Sequence, residues 1–382
     1  MMQGQVIDDQ MICLSEGVKF TTDEQGRPGA EIKRGQAVTR YTIDPHIQTF
    51  LECFRDPTTL RQAAEVLKLQ GFRPENVMQF GKSMLKTPLL EFLDAGLSVA
   101  PAAALLEGAG LRLVSTFKDR KFDGVYQVTD AHGQPGVAKL LRSTSSMSES
   151  ARILKRMENE HAVLQRLAAV PAVVRTSGFV HGPHPHFVME FIHGSTLTDA
   201  VMQTRSSSWR TAIAHDAVAA MAQVHRHGII HGDVHASNFM IDAGQVLRLI
   251  DFDCAFIQGS GHIARIGGAA HFMPPERASG VWHAGTTIGA DIASDIYQLG
   301  IVLYLTLRGV PPFRGGHYSA LADAIRAGAY PALCTTREQA PIDPAVCAAV
   351  HACMSFKPEE RPSSLDDILP VFASCIQREN AA

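Results

Sequence analysis

His231-Gly232-Asp233-Val234-His235-Ala236-Ser237-Asn238, followed soon after by Leu249-Ile250-Asp251-Phe252-Asp253, is the stretch on which the reading of this chain turns. It places an Asp and an Asn five residues apart in one tight loop, with a second Asp closing the apolar run that comes next. Such a set suits a hydroxyl attacking a phosphoryl group. One carboxylate receives or orients the hydroxyl proton, while an amide and a second carboxylate hold magnesium on the phosphates.

Two residues upstream complete the pattern. Lys139 follows Val137-Ala138 on an apolar, strand-like piece, and Glu160 lies in the polar helix expected over about 146–167. A lysine is a flexible point charge, and a carboxylate beside it fixes where that charge sits. Taken singly, a strand Lys or a helix Glu is most often a solvated side chain. The order Lys139, Glu160, Asp233, Asn238, Asp251 makes coincidence a poor explanation.

At this point the chain resembles the protein kinase superfamily. Its loop, HGDxHxxN rather than HRDLKxxN, is closer to phosphotransferase-type and atypical bacterial kinases. The resemblance implies that Asp233 serves the acceptor hydroxyl, that Asn238 and Asp251 carry magnesium, and that Lys139, paired with Glu160, meets the phosphates of ATP. Met189-Glu190-Phe191-Ile192 stands where the family's hinge holds adenine through backbone groups, which makes Met189, Glu190 and Ile192 candidate nucleotide contacts. The likeness runs over roughly residues 112–376. Phe272-Met273-Pro274-Pro275-Glu276 stands for YMAPE, Asp295-Ile296-Tyr297-Gln298-Leu299-Gly300 for the central helix, and Arg361-Pro362-Ser363 for the closing RPS element. It further implies an ion pair between Glu276 and Arg361, and a role for Asp295 in tying down the backbone of the 231–238 loop.

Four departures stand out. Lys118, Arg120 and Asp123 occupy the positions of the family's three phosphate-loop glycines, and only Gly124, one place late, remains. Gly232 replaces the arginine that clamps a phosphorylated activation segment, and between Asp253 and Glu276 the one hydroxyl is Ser260. Clamp and ligand are missing together, so activity without phosphorylation of that segment is expected. His235 stands at the catalytic-loop lysine and Ala269 at the threonine before the APE-like element, which points to a rearranged acceptor site. Asp253 takes the place of the DFG glycine, either to bind metal through water or to restrict the loop.

Composition sets outer bounds. In 382 residues, 46% hydrophobic and 19% charged content is ordinary for a globular chain of two or three domains. A net charge of −3 leaves no basic footprint, so nucleic acid is not expected as a partner. Seven cysteines, without a CxxC pair, read as free thiols of a reducing, cytoplasmic setting. No secretory signal pattern opens the chain, and the most apolar stretch, Ala95 to Val114, is broken by Pro101, Glu107 and Arg112, so no membrane span is expected. His181, His184 and His186 lack a matching Cys or carboxylate set and read as loop polarity rather than metal ligands.

Along the chain, a polar, strand-like opening leads to three helical patterns: Pro45 to Phe54, one opened by Asp56-Pro57-Thr58-Thr59, and Pro74 to Leu85. An apolar edge at 89–97 and a linker over about 98–110 follow. Strands are then expected at 111–117, 124–129, 137–141, 173–180 and 186–191, with mostly helix beyond Gly194. The helix over about 208–227 carries an apolar stripe, Ile213, Ala217, Ala220, Met221 and Val224, that reads as core. Residues 42–97 faintly resemble the winged-helix modules that capture leader peptides by strand addition. The alternative is a helical cap packing on the small lobe.

The resulting expectation is an α+β chain. Residues 1–105 form a small, mainly helical or winged-helix accessory domain. Residues 111–378 form a bilobal kinase-like domain, with a small lobe over 111–190 and a large lobe over 191–378. The expected function is ATP- and magnesium-dependent phosphotransfer to a Ser/Thr hydroxyl of a protein or peptide. Two alternatives remain: a kinase of a small molecule or of a ribosomally made natural-product peptide, and a pseudokinase scaffold.

Overall fold

A computed structural model describes residues 12–14, 18–22, 28–34, 37–55, 58–68, 72–85, 87, 89–92, 101–119, 123–142, 147–259, 270–276, 290–314 and 318–381. Ser260, Ala269, Arg120 and Lys121 lie outside them. The fold is α+β. The chain divides into one unit of residues 1–133, 140–150 and 314–321 and a second of residues 134–139, 151–313 and 322–382.

In the first unit, strands Ile12–Leu14 (β1), Val18–Thr22 (β2), Pro28–Arg34 (β3) and Ala37–Thr42 (β4) precede helices Pro45–Glu52 (α1), Leu60–Lys68 (α2) and Pro74–Met84 (α3). Strand Leu90–Phe92 (β5) returns to pair antiparallel with β1, and β2-β3-β4 form an antiparallel sheet. The helices start where their chemistry dictates. Asp44 caps α1 by accepting from the Ile47 amide at 2.9 Å, with Pro45 as the first helical residue. Thr59 Oγ1 accepts from the Gln62 amide at 3.1 Å. Apolar residues at helical spacing, Leu60, Ala63, Ala64 and Leu67, turn inward beside Phe50, Leu51, Phe54, Val77 and Leu90 to make one core.

All three expected helices of this region are present, the first ending two residues early and the third one residue early. The expected linker at 98–110 is different: Ala102–Gly108 is a helix (α4), with Ala102 and Leu106 buried. Its Ala-Ala-Ala-Leu-Leu run has high helix propensity, which outweighed the glycines and proline at its borders. Strands Arg112–Asp119 (β6) and Asp123–Thr129 (β7) then form an antiparallel hairpin with bulges between Leu113 and Ser115 and between Thr116 and Lys118.

Strand Pro135–Leu141 (β8) and helix Met147–Arg166 (α5) lead into the second unit, followed by strand His186–Glu190 (β9). The strand expected over 173–180 is not continuous. Val173, Thr176 and Val180 make isolated bridges to Leu249, Met189 and His186, because the segment passes from pairing with the strand that holds Leu249 to pairing with β9. After β9 come strand Gly194–Thr196 (β10), helices Leu197–Met202 (α6) and Ser207–Arg226 (α7), and the short strands Ile229–Ile230 (β11), Phe239–Asp242 (β12), Leu247–Leu249 (β13) and Phe256–Ile257 (β14). Strand β12 lies between β10 and β13, and β11 pairs with β14. Helices Ile292–Arg308 (α8), Tyr318–Arg326 (α9), Pro344–Cys353 (α10) and Leu369–Ala381 (α11) complete the chain.

Residues 294–307 of α8 are buried on every side, and α7 and α10 pack on it. The α7 stripe from Ile213 to Val224 is core, as expected. Arg361 pairs with Glu276 at 2.7 and 2.9 Å, the ion pair the resemblance implies. Among the described residues no helix is long and apolar enough to cross a membrane, and no group of three His, Cys, Asp or Glu side chains is placed to hold a metal ion.

Candidate active site

The loop 231–238 is held from beneath by one face of α8. Asp295, fully buried, accepts the His231 amide at 2.8 Å and the Gly232 amide at 2.9 Å. It also takes a bond from His225 Nε2 at 3.1 Å. Burial pushes the Asp295 carboxyl up, but the His225 contact and the His231 amide bond help outweigh it and hold the group below its ordinary range. Three residues on along the same face, Gln298 Oε1 accepts the Val234 amide at 3.1 Å. The loop then closes on itself: Ala236–Asn238 is a single 3-10 turn, and Asn238 Nδ2 donates to the Asp233 carbonyl at 2.9 Å.

Gly232 has φ +74°, and a Cβ there would stand 2.9 Å from the Cys254 carbonyl oxygen. Glycine suits the position on both counts, through its backbone freedom and its lack of bulk.

Asp251 arrives from the end of the β12–β13 hairpin. The Ile250 amide donates to the Asn238 carbonyl at 2.8 Å, so the two expected magnesium ligands leave the same end of one ladder. Asp251 has φ +60°, a conformation Asp tolerates better than most residues, and its side chain is 48% exposed. The next residue, Phe252, is buried with its ring 4.8 Å from that of His231.

Lys139 joins the distant parts. Its Nζ lies 2.5 Å from Glu160 Oε1 and 2.9 Å from Asp251 Oδ1. Glu160 is fully buried, and its Oε1 also accepts the Phe252 amide at 3.3 Å. Burial alone would lower the Lys139 ammonium, but Asp251, Glu160 and Asp253 outweigh it and keep the lysine protonated. Burial likewise pushes the Glu160 carboxyl up, against the pull of Lys139.

Asp233 and His235 sit side by side, with Nε2 of the ring 3.7 Å from Asp233 Oδ1, too long for a hydrogen bond. Burial pushes His235 down to about 4, with the nearby His231 adding to that fall. Where the resembling family carries a lysine charge, this chain carries a neutral imidazole at pH 7.

Of the expected nucleotide contacts, Met189 and Ile192 are buried. Glu190 is fixed twice: its amide donates to the Arg175 carbonyl at 3.0 Å, and its carboxylate accepts the Arg175 amide at 2.8 Å and pairs with Arg248.

The structure therefore brings Lys139, Glu160 and Asp251 into direct contact, and links Asp233 to Asn238 and Asn238 to the strand carrying Asp251. Oxygen donors, one carboxylate and one carboxamide, are the ligand chemistry that magnesium takes, with phosphate and water completing its shell. The Asn238 amide nitrogen is committed to Asp233, which leaves the carboxamide oxygen as the donor. The donor set fits the ion. Sequence reading missed Gln298, His225, Arg156 and Asn159.

Residues 121–372 match the family model described as protein kinase domain, about two thirds of the chain. The chain is 33% identical over 233 residues to the serine/threonine-protein kinase PknB of Mycolicibacterium smegmatis, covering 58% of this chain and 36% of that one. It is 36% identical over 186 residues to PknB of Mycobacterium tuberculosis, covering 46% and 29%. Over 199 residues it is 32% identical to a serine/threonine-protein kinase of Corynebacterium efficiens, covering 49% and 36%. The chain thus spans about a third of the length of the curated relatives it matches.

Proposed function

Because this chain belongs to the protein kinase family, we propose that it transfers the γ-phosphoryl group of ATP to a serine or threonine hydroxyl of a protein or peptide. The observation that carries the proposal is the bridge of Lys139 to Glu160 and Asp251 at 2.5 and 2.9 Å. Phosphoryl transfer asks little covalent chemistry of a protein and a great deal of positioning and charge. Lys139 supplies positive charge to the phosphates, and Asn238 and Asp251 would hold the magnesium that would add to it. Asp233 orients the hydroxyl and takes its proton. Backbone groups of Met189, Glu190 and Ile192 hold the adenine ring.

The test is phosphate transfer from labelled ATP in the presence of magnesium, with generic protein substrates. Asp233→Asn is expected to lower kcat by roughly 10²-fold or more while the affinity for ATP changes little. A variant as active as the parent chain overturns the reading.

The neutral His235 favours a second reading, a kinase acting on a small molecule or a natural-product peptide, because the acceptor side lacks the usual cation. Phosphate transfer to a small alcohol in the absence of any protein acceptor distinguishes it. Residues 1–105 are proposed as an accessory domain and 111–378 as the catalytic one. The three-stranded sheet β2-β3-β4 supports peptide capture by strand addition to an outer strand. Seven cysteines without a disulfide support a reducing, cytoplasmic setting.

A further inference from the structure

Helix α5 is tied to the Asp251–Ala255 segment by more than Glu160. Arg156, one turn earlier, places Nε 2.7 Å from Asp253 Oδ1, and the two side chains are only 17% and 28% exposed. Asn159 Nδ2 donates to the Ala255 carbonyl at 2.7 Å. With Glu160 Oε1 accepting the Phe252 amide, three residues on one face of the helix, 156, 159 and 160, grip three successive points of the segment that delivers Asp251. Asp253, standing where the resembling family has glycine, is thus engaged by an arginine of this helix.

We infer that Arg156 and Asp253 form a latch that holds α5, and with it Glu160 and Lys139, in register with Asp251 without a phosphorylated activation segment. The inference rests on the kinase reading above and concerns how that site is kept assembled. Kinases need the Lys–Glu pair and the metal-binding Asp in place together, a condition commonly met by phosphorylating the activation segment. Here Gly232 leaves no arginine in the loop to grip a phosphate. The latch supplies an equivalent tie directly from the helix to the metal-binding segment. Its charges are opposite and partly withdrawn from water, so screening weakens it less than a surface pair. Arg156 and Asp253 touch no reacting atom. They are positioning residues.

The test uses the full chain and compares Arg156→Gln, Asp253→Gly, the double variant and the exchanged pair Arg156→Asp with Asp253→Arg. Each is read by kcat/KM for phosphate transfer, by the magnesium concentration needed for half-maximal rate, by affinity for a fluorescent ATP analogue, and by amide hydrogen exchange across Met147–Arg166. A latch predicts that each single variant loses roughly tenfold or more in kcat/KM. The double variant is then no worse than either single one, and the exchanged pair recovers part of the loss. Exchange in α5 accelerates in both single variants while the melting temperature moves little. Phosphatase treatment leaves the parent chain's activity unchanged.

Full activity and unchanged α5 exchange in Arg156→Gln overturn the latch, as does activity lost to phosphatase. A magnesium requirement altered by Asp253→Gly but untouched by Arg156→Gln also overturns it, by making Asp253 a metal ligand instead. A parent chain that transfers no phosphate sinks the kinase reading alone. In that event the exchange and nucleotide-affinity readouts still decide the latch.

Discussion

The β6–β7 hairpin and the 231–238 loop hold their backbones by opposite means. The loop keeps the residue types that phosphoryl transfer needs, and a neighbouring helix satisfies its amides through Asp295 and Gln298. The hairpin lacks the glycines that would let backbone approach phosphate closely, and side chains brace it instead. Tyr126 Oη donates to Asp119 Oδ1 at 2.8 Å, and Arg142 pairs with the same carboxylate at 2.9 Å. A Cβ on Gly124 would stand 2.1 Å from the Tyr126 hydroxyl, so the one glycine kept here makes room for the brace. Where a reaction needs defined functional groups, few substitutions serve. Where it needs a defined backbone, several sets of side chains can secure one.

The comparison breaks most easily at Asp295. Replacing it with alanine leaves two buried amides and His225 without their acceptor, a loss on the order of 3 to 5 kcal/mol. Chemical denaturation measures this directly. Phosphate transfer is expected to fall further than the unfolded fraction explains, because Asp233 and Asn238 lose their support. An Asp295→Ala chain with parental stability would mean that the loop holds its shape without the helix.

Much of this site is legible in the sequence because its chemistry restricts which residue types can serve. Lys139, Glu160, Asp233, Asn238 and Asp251 announce themselves by type and order, and Asp295 and the Glu276–Arg361 pair follow from the family resemblance. The Arg156–Asp253 tie was not read, since an arginine on a polar helix looks the same in sequence whether it faces water or a carboxylate. Asp253 stands out in the sequence, but its partner lies 97 positions away, a separation that no local rule bridges. Helix α4 resembles a linker in sequence because glycine and proline at its borders mask a short run of strong helix formers. The segment 173–180 was read as one strand because apolar alternation reports burial and does not name the partner.

Acid sharpens the comparison next. His235 titrates near 6.5 in an unfolded chain and at about 4 in the folded one. Between those values the unfolded state binds the extra proton, so stability falls as pH drops from 6.5 toward 4 and levels off below. The full difference is worth roughly 3 kcal/mol, and His231, also lowered by burial, adds in the same direction. His235→Gln is expected to flatten part of that slope in denaturation midpoints measured across the range. An unchanged slope would place the ring in contact with water.

Restoring the family's arginine at position 232 is expected to harm the loop without creating a phosphate clamp. A side chain at φ +74° is strained, and its Cβ meets the Cys254 carbonyl at 2.9 Å, for a combined cost of about 2 kcal/mol. Gly232→Arg should therefore melt lower and gain no response to an upstream kinase. A variant that becomes dependent on phosphorylation would show that the backbone here adapts.

The smallest effect tests the hairpin. Tyr126→Phe removes one donor from Asp119 while Arg142 still satisfies the carboxylate, so the expected loss is about 1 kcal/mol. Burial first, and then the Asp119 charge, keeps the Tyr126 phenol protonated well above its ordinary range, so the donor is present at every working pH. If the brace shapes a surface that meets phosphate, the KM for ATP should rise several-fold with kcat unchanged, since binding is weakened equally in ground and transition states. If it serves stability alone, the melting temperature drops and KM stays where it was. The first outcome would mean that side-chain bracing has taken over the work of the missing glycines. The second would leave phosphate binding to Lys139 and the magnesium ligands.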